Sequence, residues 1–101
     1  MTGHGELQCT AVRWVADEPQ PGWVEVLMTD ADGRTWRFRD KPSVFDAKGG
    51  LGKDSNYPVP VTMRVRIIEE AEPLTVSTDP DGVASKEGET TFRVPSSIVE
   101  L

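Results

Sequence analysis

One histidine, one cysteine and a surplus of acids set the limits on the chemistry this chain can perform. His4 is the only imidazole. It lies between Gly3 and Gly5 at a start expected to fray, so a Ser–His or Cys–His pair would lack an anchored base. Cys9 is the only thiol, and its expected place is a small buried position on the first strand. Together the two fall short of a zinc site. Asp30/Asp32 and Asp79/Asp81 each sit in a Thr-Asp-x-Asp-Gly stretch that opens like a calcium loop. Both lack the third oxygen ligand before the glycine and the Glu at the twelfth position, so they are expected as turns. Lys48-Gly49-Gly50-Leu51-Gly52-Lys53-Asp54 has the look of a phosphate loop. Ala47 and Asp54, however, occupy the places that need Gly and Ser or Thr. Carboxylates are plentiful, but nothing in their spacing puts two in one cleft. The expectation is a chain without catalytic residues, metal or cofactor.

The cations point to binding. The net charge is −6, yet residues 1–33 carry −5, residues 34–66 carry +5 and residues 67–101 carry −6. In Arg34-Thr35-Trp36-Arg37-Phe38-Arg39, strand alternation turns Trp36 and Phe38 to one face and Arg37 and Arg39 to the other. The aromatics then belong to the core, which removes a base-stacking platform. A pI near 4.7 further disfavours nucleic acid, where phosphate contacts supply most non-specific affinity. If the third and fourth strands are neighbours, Arg37, Arg39, Arg64 and Arg66 form one exposed patch. Lys48, Lys53 and Tyr57, in the loop between those strands, complete the candidate binding set.

The elements that must hold these residues are strands. Runs rich in β-branched and aromatic residues, bounded by Gly, Pro, Asp and Asn, cover Leu7–Ala16, Trp23–Thr29, Arg34–Arg39, Val61–Glu69, Leu74–Thr78 and Thr91–Val94. No segment keeps helical spacing for three turns, and one short helical turn is expected at Ser43–Ala47. The second hairpin is legible residue by residue. A three-residue loop, Ala31-Asp32-Gly33, pairs Met28 with Trp36 and Val26 with Phe38 on one face. On the other face it pairs Leu27 with Arg37 and Glu25 with Arg39. A register one residue away would turn the apolar set to water. Gly33 takes the left-handed position of the turn. In the first hairpin, Trp14 is expected opposite Val24 and Val12 opposite Val26. That sets Arg13 against Glu25 and makes an exposed Arg13–Glu25–Arg39 ladder. On the fourth strand Val61, Met63, Val65 and Ile67 face in, and Thr62, Arg64, Arg66 and Ile68 face out.

Residues 1–101 are therefore expected to form a single β domain, with a flexible N-terminus over residues 1–5 and a long loop over 40–60. The architecture expected is a small five- to six-stranded antiparallel barrel or strongly bent sheet of the SH3-like or OB-like kind. The start has no basic stretch followed by an apolar one, and no apolar run approaches the roughly 20 residues of a membrane span. A lone cysteine fits a reducing cytoplasm.

Gly22-Trp23-Val24-Glu25-Val26, the stretch Thr29-Asp30-Ala31-Asp32-Gly33-Arg34-Thr35-Trp36-Arg37-Phe38, Lys41-Pro42, Tyr57-Pro58 and Gly88-Glu89-Thr90 together resemble small bacterial β-barrel proteins of uncharacterised role. The resemblance implies a barrel and a bacterial source, and it carries over no activity and no site residue. The function expected is a non-catalytic protein-binding module, for example an immunity or inhibitor protein. The competing class is a small barrel for single-stranded nucleic acid.

Overall fold

The computed structural model describes residues 3–20, 22–46 and 50–101. Its antiparallel strands are β1 (His4–Ala16), β2 (Trp23–Thr29), β3 (Thr35–Asp40), β4 (Phe45–Asp46), β5 (Val59–Glu69), β6 (Leu74–Ser77), β7 (Thr91–Val94) and β8 (Val99–Glu100). The six longer strands lie in the order β3-β2-β1-β5-β6-β7, with β4 added to β5 and β8 added to β1. The sheet curls into a half-barrel, the bent all-β architecture that the alternating sequence predicts. Among the described residues the helical elements are three single 3-10 turns, one of them at Pro42–Val44, just ahead of β4. The turn expected at Ser43–Ala47 therefore starts one residue earlier and gives way to β4 at Phe45.

Apolar alternation places the core inside the curl. Val24, Val26 and Met28 from β2, Phe38 from β3, and Val61, Met63, Val65 and Ile67 from β5 are all buried. The β2–β3 register is the one the turn chemistry predicts, with Val26 opposite Phe38 and Met28 opposite Trp36. Gly33 holds φ at +81°, and its N–H donates to the Asp30 carbonyl. One side of Asp30 caps the turn by accepting the Asp32 and Arg34 N–H groups, and its other oxygen takes the Trp36 indole N–H at 2.8 Å.

Two devices bring the ends of the sheet together. The Ala31 N–H donates to the Arg93 carbonyl and the Lys86 N–H to the Arg37 carbonyl, beside a bridge between Phe38 and Ser85. Behind this seam Phe92 packs edge-on against Trp36 and Phe38, with ring centroids 5.0 and 5.5 Å apart. That geometry suits aromatic quadrupoles better than face-to-face stacking.

Three expectations need correction. Val12 does not face Val26. A bulge between Ala11 and Arg13 leaves Ala11 opposite Val26 and keeps Arg13 opposite Glu25, so the residue between them drops out of the core ladder. The N-terminal residues from Gly3 onward are held in place: His4 and Gly5 pair with Arg66 and Val65, and the Ile67 N–H donates to the Gly3 carbonyl. The stretch 40–60 is not one loop. β3 runs to Asp40, β4 pairs with Met63 and Thr62, and β5 begins at Val59. The remainder includes a turn closed by the Tyr57 hydroxyl, which donates to the Gly52 carbonyl at 2.7 Å.

Candidate functional site

The strand order decides which arginines can act together. β3 and β5, the third and fourth strands of the sequence, are separated by β2 and β1. Arg37 and Arg39 therefore lie on a different part of the sheet from Arg64 and Arg66, and the four do not make one patch.

Arg64 and Arg66 are engaged at their own end. Arg66 meets Asp79 at 2.8 Å, and Arg64 grips Asp81 with two nitrogens. Both acids come from the 3-10 turn Asp79–Asp81, whose closing Gly82 is left-handed. The pairing raises both arginine pKa values, through hydrogen bonding to Asp81 and Asp79. The same hydrogen bond from Arg66 holds the Asp79 carboxyl below its usual range. Two charges of each sign cancel here.

On the outer face of β1–β2–β3 the arrangement is different. Glu25 is only 3% exposed, and three guanidinium groups converge on it. Arg39 Nε approaches at 2.9 Å, Arg13 Nε at 3.1 Å and Arg37 Nε at 3.9 Å. The Arg13 side chain is 53% exposed, Arg37 48% and Arg39 38%. Burial works against ionisation of Glu25. Hydrogen bonds from Arg13 and Arg39, with the charges of Arg13 and Arg37, outweigh it and hold the carboxyl below its usual range. The ladder expected in the sequence as an exposed surface feature thus has a buried acid at its centre. One negative charge is shared by three positive ones, leaving +2 directed outward. Subtracting that +2 from the whole-chain −6 leaves −8 on the rest of the molecule.

Other residues on this face were missed as site members. Leu27 sits opposite Arg37, and Val12 is delivered beside Arg13 by the bulge. Trp23 shares the Glu25 face by alternation; it is half-buried and packs outside the core cluster. The sequence signal for Leu27 and Trp23 was their parity with Glu25. Val12 gave no such signal.

Of the remaining sequence candidates, Lys53 is exposed, and Tyr57 is half-buried in its turn with its hydroxyl pKa pushed up by burial against the opposing effect of Ser55. Lys48 lies outside the described residues. Cys9 is buried, its thiol contacts the Leu7 carbonyl, and burial pushes its pKa up to about 12, which suppresses the nucleophilic thiolate. Among the described residues no three His, Cys, Asp or Glu side chains gather as metal ligands, and no helix is long and apolar enough to cross a membrane.

No family model matches the chain, and no curated protein or solved structure matches it.

Proposed function

We propose that this chain is a non-catalytic binding module that docks its arginine face onto an acidic surface of a partner protein. The observation that carries this reading is the convergence of Arg13, Arg37 and Arg39 on the single buried carboxylate of Glu25. Glu25 fixes where the guanidinium groups sit, and their half-exposed edges keep donors free for an incoming carboxylate. Arginine suits this role because its planar fork matches a carboxylate with two parallel hydrogen bonds. The −8 elsewhere repels an acidic partner and favours its approach from this one face. A module of this kind fits an inhibitor or immunity protein, which acts by covering another protein. The lone cysteine suits a bacterial cytoplasm, in line with the resemblance of the turn and core segments.

The test is fluorescence polarisation with labelled hexa-aspartate at low salt, comparing two charge-matched double variants. Wild type is expected to bind, with affinity falling as salt rises. Arg37→Gln with Arg39→Gln should weaken binding about tenfold or more, whereas Arg64→Gln with Arg66→Gln should leave it nearly unchanged. Equal losses in the two would mean that only overall charge matters and would refute the face assignment.

A further inference from the structure

The arginine face continues into a groove. Strand register arranges the outer surface in rows across the sheet. One row is Arg39, Glu25 and Arg13; the next is Arg37, Leu27, Thr10 and Pro60. Beyond these come Thr29 with Thr35 and Gln8 with Thr62, and then Arg64, Glu6 and Glu100. Over the middle rows β2 leaves β1 and β8 arrives, and an open groove of about 1190 Å³ lies there. Val12, Leu27, Val59, Pro60 and Ile98 supply its apolar walls, and Glu100 lies on its rim. Along the strands the outer face thus runs from the cationic row of Arg13 and Arg39, through this apolar groove, to the acidic row of Glu6 and Glu100.

Resting on the acidic-partner reading above, we infer that the groove receives an extended peptide segment of that partner, with an acid at one position and apolar residues two and four positions on. The spacing follows from geometry. Rows on one face of a sheet recur every two residues, about 7 Å, and an extended peptide repeats its side chains on one side at the same interval. A chain laid along β1 with its carboxylate between Arg13 and Arg39 places its next same-side residue over Val12 and Leu27. The one after that falls toward Ile98. Glu6 and Glu100 then exclude a second acid at the far end by like-charge repulsion, which sets the direction of the segment. Val12 follows the outward parity of Gln8 and Thr10, and the bulge after Ala11 lets Arg13 share that face opposite Glu25.

Two fluorescein-labelled peptides separate this inference from the reading it rests on: Glu-Asp-Leu-Ser-Leu-Ser, and the same sequence with serine at both leucines. By fluorescence polarisation, the leucine peptide is expected to bind about tenfold more tightly, equivalent to about 1.4 kcal/mol. Leu27→Ser and Ile98→Ser should each erode that advantage while leaving the all-serine peptide unaffected. Arg39→Gln should weaken both. Far-UV circular dichroism confirms that each variant is folded, and two separate wall substitutions keep the test decisive if one of them unfolds. Equal affinity for the two peptides in wild type overturns the groove inference and leaves the arginine face standing. Failure of both to bind overturns the two together. Tighter binding of oligo-dT than of the leucine peptide overturns both in favour of nucleic acid.

Discussion

Arg37-Phe38-Arg39 and Arg64-Val65-Arg66 are the same pattern in sequence: two arginines flanking a buried apolar residue on a strand. Their fates in the fold are opposite. On β5 each arginine finds its own aspartate, both supplied by Asp79-Pro80-Asp81, whose spacing matches that of the arginines. On β3 the pair shares one carboxylate with a third arginine. A strand that presents two cations is therefore neutral or strongly cationic according to what the neighbouring turn or strand delivers. The neutral end is fixed by a turn and is exposed. The cationic end is organised around a buried group, so its acid belongs to the architecture as much as to the surface.

Reversing the acid at each end gives the largest contrast. Glu25→Lys places a fourth positive group at a buried centre and is expected to cost about 3 kcal/mol, the scale of an uncompensated buried charge. Asp79→Lys changes an exposed pair and should leave the urea midpoint within a few per cent of wild type. Comparable losses at the two sites would break the distinction.

Next in size is a backbone effect at the turn that sets the β2–β3 register. Gly33→Ala forces a side chain into the left-handed region, although its Cβ would meet no atom within 4 Å. The expected cost is roughly 1 kcal/mol from the backbone alone. Gly82, in the turn that carries Asp79 and Asp81, has φ of +67° and should respond alike when its unfolding midpoint is measured.

Acid titration probes the charged centre more gently. The Glu25 and Asp30 carboxyls are held below their usual ranges, despite burial, by hydrogen bonds to Arg13 and Arg39 and to Trp36 respectively. The unfolded chain binds their protons first as pH falls. Their stabilisation is complete above about pH 4.5 and is lost progressively below it. Denaturation curves of Glu25→Gln should show a shallower acid limb than wild type, and an unchanged limb would remove Glu25 as a contributor.

The smallest effect is a rate. With its thiol pKa pushed up to about 12 by burial, Cys9 should react with a maleimide orders of magnitude more slowly in native protein than in urea. Equally fast labelling in both would show that this part of β1 opens readily.

The sequence carried the local half of this architecture. The β2–β3 register was legible because alternation and Gly33 agreed on one pairing, and the inward set on β5 because four apolar residues recur at every second position. The Arg13–Glu25–Arg39 ladder was legible for the same reason, but the burial of Glu25 was not. Depth depends on how far the sheet curls and how closely three long side chains fold over one acid. The bulge at Val12 escaped because one extra residue in a strand leaves no mark when every neighbour is compatible with either face. The separation of Arg37 and Arg39 from Arg64 and Arg66 escaped for a different reason. Hairpins link consecutive strands, whereas the pairing of β1 with β5 joins residues 48 to 62 positions apart, with no local turn to announce it.

The seam made by Ala31 with Arg93, and by Lys86 with Arg37, governs how other chains approach the sheet. Outer strands with open amides and carbonyls are templates on which a second polypeptide adds itself by backbone pairing alone, with little regard for its side chains. Here carbonyls of the two outermost strands, Arg37 of β3 and Arg93 of β7, accept from Lys86, ahead of β7, and from Ala31, in the β2–β3 turn. Recognition at that side is moved from the strand margins to the broad surface between them. A visitor there is judged by the charge and shape of its side chains, which is selectivity that backbone pairing does not provide.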